Sequence, residues 1–196
     1  MPAFSVYLSA IPQWRISDGV SLDDTPGWKE TRLVVLERDA YTCQGCGFMS
    51  PAWMEVHHAD GDYKNNSVDN LVTLCPFCHS CFHIGFAGLK EKGILLQLEF
   101  PIEQASIHKI LLDSLWQMGD TKGFPLFLQK LPILHRWGSD QLMDLANLMI
   151  LNMRMSKKAS VPKNLVFFPN PKKYDICSYI IRRKEYWESI YLSKTC

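Results

Sequence analysis

The sequence contains no run of about 18 or more apolar residues free of charge, the length a helix needs to cross a bilayer. Met1 to Gln13 lacks the basic start and sustained apolar stretch of an export signal. Internal repeats and low-complexity tracts are missing too, which excludes solenoid and fibrous architectures. The expectation is a cytoplasmic protein with no integral membrane segment. Net charge is scarce as well, +1 over 196 residues, but that figure is a balance between unequal parts. Arg154 to Cys196 carries ten Lys/Arg against three Asp/Glu, while Met1 to Met153 carries eleven against seventeen. A tail of +7 on a body of −6 suits an acidic partner, a phosphate backbone or an anionic membrane surface; an ordinary solvated helix face gives the same count.

Length permits one good core, or a small metal-held module joined to a modest helical part. Phe4 to Ala10 alternates apolar and small polar residues and predicts a strand ended by Pro12, followed by a loop from Ser17 to Gly27. Trp28, Leu33, Val34 and Leu36 predict a helix from Trp28 to Arg38, with Thr25, Pro26 and Gly27 leading in. Gly85 to Gly93 reads as a glycine-punctuated connector, and Ile94 to Phe100 as a strand closed by Pro101. Pro101 and Glu103 then open a helix with Ile107, Ile110, Leu111, Leu115 and Trp116 on one face, broken at Asp120 to Gly123. Phe124 to Trp137 and Ser139 to Met155 read as further helices, Ser139 being an N-cap candidate. Pro162 to Pro171 reads as a turn region, and Tyr174 to Leu192 as a basic, aromatic-rich helix.

Cysteine is used in a pattern. Cys43-Gln-Gly-Cys46 and Cys75-Pro-Phe-Cys78 are two C-x-x-C pairs about thirty residues apart, a spacing that lets two tight turns face one tetrahedral Zn²⁺. Seven cysteines without an export signal favour thiolate ligation over disulfides. Four thiolates leave no open position, so such a zinc is structural. A redox C-x-x-C, or buried free cysteines, would require the second pair to be coincidence. Cys81, three residues beyond Cys78, competes as a ligand; Cys177 and Cys196 look like bystanders.

Between the pairs stand His57 and His58, adjacent in an extended segment and therefore on opposite faces, so that one can hold a metal while the other faces substrate. Asp60-Gly61 and Lys64-Asn-Asn66 supply turn chemistry, and Asn70 to Leu74 returns as a second strand. His79 and His83 lie at i, i+4 on a helix expected to begin near Cys78. Two strands and a helix thus bring imidazoles to one point.

This region resembles the HNH, or ββα-metal, endonucleases. The likeness rests on Arg32-Leu-Val-Val-Leu-Glu-Arg-Asp-Ala-Tyr-Thr-Cys-Gln-Gly-Cys-Gly47, His57-His58, Asn70-Leu71 and Cys78-His79. It implies that His57, His79 and His83 ligate a divalent ion (Mg²⁺, Mn²⁺ or Zn²⁺), that His58 is the general base, and that Asn70 holds the hairpin so that His58 is aimed. Neutral imidazole suits a base at neutral pH. Charge, however, suits DNA poorly, because Glu30 to His83 carries three basic residues against seven acidic ones and DNA affinity comes mainly from Lys/Arg at phosphates.

Over most of its length the chain is also similar to the IcmJ/DotN proteins of type IVB secretion and related conjugation machinery. The residues concerned are Tyr7-Leu-Ser-Ala-Ile-Pro-Gln-Trp-Arg15, Asp60-Gly-Asp-Tyr-Lys-Asn-Asn66, Gly93 to Phe100 with Pro101, Val166-Phe-Phe-Pro-Asn170, and the basic helix containing Trp187. That resemblance implies a scaffold bound to a VirD4-type coupling ATPase and other coupling-complex proteins, peripheral at the inner membrane through that partner. The expected fold class is α+β: an N-terminal strand and loop (1–27), a zinc-stapled HNH domain (28–86), and a strand plus mainly helical C-terminal region with a basic tail (87–196). The expected function is an IcmJ/DotN-like component of a coupling complex with a retained histidine site that hydrolyses DNA phosphodiesters if active. The alternatives are a self-sufficient metal-dependent HNH DNA endonuclease and a nucleic-acid-binding zinc module without chemistry.

Overall fold

The computed structural model describes residues 4–9, 26–50, 53–118, 121–154 and 161–174, with the side chains of 150–154 excepted. The expected basic helix after Tyr174, the loop before Pro26 and the residues around Asp120 lie outside them. Within them the fold is α+β, with a two-stranded and a three-stranded antiparallel sheet and six α-helices. No helix among the described residues is long and apolar enough to cross a membrane.

Helix α1 spans Trp28–Arg38, and Gly27 precedes it with a φ of 78°, a left-handed conformation that glycine adopts without penalty. Its buried residues are Trp28, Val35 and Leu36, whereas Leu33 and Val34, part of the apolar spacing that predicts the helix, face solvent at 47% and 50% exposure. The helix is fastened to the sheet by polar bonds as well. Arg38 donates to the carbonyls of Val68 and Leu71, both at 2.8 Å, and pairs with Asp39, which accepts the Thr73 N–H at 3.0 Å.

Strand β1 (Glu55–His58) pairs with β2 (Leu71–Leu74) so that His57 lies opposite Val72 and His58 opposite Leu71. Helix α2 (Pro76–Phe82) follows at once, with Pro76 in its first turn, where a missing N–H costs nothing. It begins two residues before Cys78, the expected start. His83 ends it and leads into α3 (Ile84–Leu89).

The stretch expected as a connector is therefore a helix. Its Gly88 serves packing: a Cβ there would stand 2.6 Å from the Ser139 carbonyl oxygen and 2.8 Å from the Leu142 Cβ. Those contacts belong to α6 (Ser139–Arg154), which lies across α3. Ser139 donates its hydroxyl to the Gly93 carbonyl at 2.7 Å, so it does not cap; Gln141 instead accepts the Gly138 N–H.

Strand β3 (Gly93–Leu98) is central in the second sheet, flanked by β4 (Ile133–Trp137) and β5 (Leu165–Pro169). Neither neighbour was expected. The helix expected to run to Trp137 stops as α5 (Gly123–Lys130), because Pro132 forces Leu131 into an extended conformation (ψ 137°), after which the chain pairs with β3. The expected turn region holds a strand because Val166, Phe167 and Phe168 are buried against β3 and α4 (Gln104–Met118). The expected N-terminal strand does not form among the described residues. Residues 4–9 are tied instead by a few backbone bonds, Phe4 N–H to Gln44 O, Ser9 N–H to Cys81 O and Ile84 N–H to Ser9 O.

One continuous core runs from α1 and the hairpin through α2 to β3, α4 and β5. Phe77 on α2 is its hub, its ring edge-on to those of Trp53, His108, Phe124 and Tyr174 at centroid distances of 5.7, 5.8, 6.0 and 4.8 Å. A second cluster joins α3, α6 and β3 around Ile84, Leu95, Leu142 and Phe167.

Because Gly88 meets backbone on α6, Gly88→Val is expected to lower stability by about 1–3 kcal/mol. Urea denaturation should register it as a lower midpoint at unchanged slope; an unaltered midpoint would mean the α3–α6 contact is not as close as described.

Candidate functional site

The first cysteine pair sits in a turn closed by Cys43 N–H to Phe48 O and Gly47 N–H to Cys43 O, both at 2.8 Å. Gly47 makes that turn possible with a φ of 75°. Gln44 N–H donates to Thr73 O at 2.8 Å, which lays the turn against β2. The second pair opens α2, Cys75 being its N-cap. In each pair the first sulfur accepts the backbone N–H of the second cysteine, at 3.4 Å for Cys43 and 3.5 Å for Cys75.

All four cysteines are free and buried, and their sulfurs lie within 4.8 Å of one another. Cys46 Sγ and Cys75 Sγ are 3.7 Å apart. A disulfide needs about 2.05 Å, whereas thiolates arranged tetrahedrally at about 2.3 Å from an ion stand about 3.8 Å apart. Left to themselves, these buried sulfurs compete for protons. Bonds from Cys46, Cys75 and Cys78 hold the Cys43 thiol far below its ordinary range. Burial and the bonds to Cys43 and Cys46 push Cys75 up, and bonds to Cys43, Cys46 and Cys75, with burial, push Cys78 up. A cation removes that conflict, so the four cysteines could bind a structural metal. Cys81 stands apart, its sulfur 3.7 Å from the Phe77 carbonyl and its side chain in the second core cluster.

The histidines make a second group. His57, His79 and His83 each offer a ring nitrogen, and these nitrogens lie within 4.8 Å of one another. Ring centroids are 5.1 Å apart for His57 and His79, 5.7 Å for His57 and His83, and 4.7 Å for His79 and His83. His57 is buried and stacks on Phe82 at 4.5 Å. Burial first, then His79 and His58, lowers its pKa to about 3, so it is neutral near pH 7 and keeps a lone pair for coordination. His79 and His83 are half-buried, which leaves the trio a solvent-facing side that the cysteine cluster lacks.

His58 turns away from this trio. Its ring stacks on Trp28 at 5.6 Å with 12° between planes, and its Nε2 is 2.8 Å from Asn66 Oδ1. Asn70 fastens the loop between the strands: its Nδ2 donates to Asp60 Oδ1 (3.0 Å) and Asn65 O (2.9 Å), its Oδ1 accepts the Asp60 N–H (3.1 Å), and its carbonyl accepts the Ala59 N–H (2.8 Å).

Sequence reasoning passed over several contacts. His79 Nδ1 is bonded to Glu55, which leaves its Nε2 for the trio; burial opposes the Glu55 carboxylate, but His79, Lys92 and Arg32 outweigh that and keep its pKa below the usual carboxylate range. Glu55 precedes His57 by two, hence shares its face of the strand, a signal that was available. Trp28 and Asn66 carried none. His108, whose Nδ1 is 3.3 Å from Cys78 Sγ, shows only as a polar residue on an apolar helix face.

No family model matches the chain. It is 38% identical over 98 residues to the type 4 apparatus protein DotN of Legionella pneumophila, a match covering 50% of this chain and 45% of that protein. It is 43% identical over 44 residues to the H-N-H endonuclease F-TflIV of Escherichia phage T5, covering 20% of this chain and 19% of the phage protein. The chain thus matches less than half of each relative's length.

Asn70→Ala removes three side-chain bonds across the hairpin loop. The expected cost is about 1 kcal/mol, with hydrogen exchange accelerated at the Asp60 amide; unchanged protection there would show that the loop does not depend on Asn70.

Proposed function

We propose that this chain is an IcmJ/DotN-like component of a type IVB secretion or conjugative coupling complex, built on an HNH (ββα-metal) frame. The single observation that carries this is the 38% identity to DotN across half the chain. Its expected partners are a VirD4-type coupling ATPase and the other proteins of that complex, with DNA as a further ligand, and its expected place is the cytoplasm, at the inner-membrane surface through the ATPase.

In this reading Cys43, Cys46, Cys75 and Cys78 hold a structural Zn²⁺, and His57, His79 and His83 hold Mg²⁺, Mn²⁺ or Zn²⁺. Structural zinc contributes roughly 10 kcal/mol or more to small domains, comparable to a domain's whole stability of about 5–15 kcal/mol. Glu55 orients His79 through Nδ1, as carboxylates commonly do for metal-bound imidazoles. An ion at the trio would supply Lewis-acid stabilisation of charge developing on a phosphodiester. His58 would take the proton of the attacking water, with Asn70 holding the loop that aims it.

Two features favour the scaffold role over self-sufficient cleavage. His58 is 5% exposed: its Nε2–H donates to Asn66 Oδ1, which puts the ring's lone pair on Nδ1, and the ring is stacked on Trp28, so water has little access to it. The net −4 from Glu30 to His83 opposes a polyanion. The phage endonuclease similarity, at 44 residues, supports the nuclease alternative.

Affinity purification from the native host should recover the coupling ATPase with this protein; repeated absence of any such ATPase would overturn the proposal. Plasmid nicking dependent on Mg²⁺ or Mn²⁺, abolished by His58→Ala at unchanged zinc content, would instead establish the endonuclease. Zinc chelation should abolish the cooperative thermal transition followed by circular dichroism, and readdition should restore it.

A further inference from the structure

His108 stands in the middle of α4, fully buried, outside both cysteine turns and far along the chain from them. Its Nδ1 lies 3.3 Å from the sulfur of Cys78. On the other side of the ring, Nε2 is 2.8 Å from Gln104 Nε2 and 3.4 Å from the Phe167 carbonyl oxygen. The proton's position follows from these partners without reference to acidity. Gln104 Oε1 accepts the Phe167 N–H at 2.6 Å, which fixes the orientation of the amide. Gln104 Nε2 is then a double donor, to Phe167 O at 2.8 Å and to His108 Nε2. A nitrogen facing that donor must present a lone pair, so the ring's N–H is on Nδ1, directed at sulfur.

Resting on the reading of the four cysteines as a metal centre, we propose that His108 is a positioning residue of that centre: its Nδ1–H donates to the Cys78 thiolate, and Gln104 locks the ring in that tautomer by bridging it to the β5 backbone. Cys43 and Cys75 receive backbone N–H bonds from within their own turns; Cys78 receives its bond from the C-terminal half of the chain. The consequence is structural coupling. A hydrogen bond to a thiolate is charge-assisted and strengthens when the sulfur is ionised by a metal, so α4 and β5 are held more firmly when the centre is loaded. The cysteine module and the helical half then behave as one unit.

Cobalt substitution, chelator competition and nitrogen NMR together test this on the full chain. Wild-type protein loaded with Co²⁺ should show tetrahedral thiolate bands. His108→Phe, which keeps the buried ring, should shift the thiolate-to-cobalt charge-transfer band to lower energy and weaken metal affinity roughly 10- to 100-fold. His108→Gln, which keeps an N–H donor, should recover part of both. Should the Phe variant not fold, long-range ¹H–¹⁵N correlation on zinc-loaded wild-type protein decides: a protonated Nδ1 and bare Nε2 support the proposal. A protonated Nε2, or charge-transfer bands identical in wild type and His108→Phe, would overturn it while leaving the metal centre standing. Wild-type protein that takes up no cobalt would overturn the metal centre and this inference together.

Discussion

Four sulfurs meeting at one point set the geometry of everything around them. The turn bearing Cys43 and Cys46 and the start of α2 bearing Cys75 and Cys78 are separated by a hairpin that has only four residues in each strand. A two-stranded ribbon of that length is marginal in water. Clamped at the sulfur cluster, backed by α1 through the Arg38 bonds and by α2 through Phe77, it becomes rigid enough to hold side chains in register. The histidine trio depends on that clamp, because His57 comes from β1, His79 from α2 and His83 from the bend beyond it. Each would be mobile relative to the others were the hairpin and helix free to part.

What the sequence made legible was whatever short spacing encodes. Cys43 with Cys46, Cys75 with Cys78, the period-2 opposition of His57 and His58, and the turn residues between Asp60 and Asn66 each state their geometry within a few positions. The extents of α1 and of the hairpin follow from the same local signals. Within α1, however, the buried face was not legible. Apolar residues occupy four consecutive positions, Leu33 to Leu36, and helical spacing cannot choose among them until the helix is docked.

The second sheet was illegible for a different reason. Strand β5 pairs with β3 across about seventy residues, and β4 across about forty. Nothing near Ile133 or Leu165 announces a partner that distant: the stretch through Pro132 reads locally as helix, and Pro162 to Pro171 as a turn region. Pro169 ends β5 without disturbing it, while Pro132 decides the switch from α5 to β4. Likewise Gly88 looked like flexible punctuation, although what it encodes is the close approach of α6, a fact about another element. His108 belongs to this class: its meaning lies in a sulfur thirty residues away and a backbone farther still.

The two clusters of potential ligands differ in exposure, and the difference bears on what the frame can do. The cysteines are wholly enclosed, with no face left for substrate; His79 and His83 keep partial access to solvent. In the nuclease reading the base must be reached by water, and here His58 is 5% exposed, stacked on Trp28 and bonded through Nε2 to Asn66. Those contacts stabilise the hairpin loop and the start of α1, which serves a scaffold directly. For hydrolysis the bond to Asn66 sets the tautomer, with the lone pair on Nδ1, but burial at 5% exposure and the stacking on Trp28 keep water from the ring. Scaffold and enzyme therefore ask opposite things of one imidazole. The acidic surroundings point the same way as the sheltered ring, since repelling phosphate and burying the proposed base both favour contact with protein over cleavage of DNA.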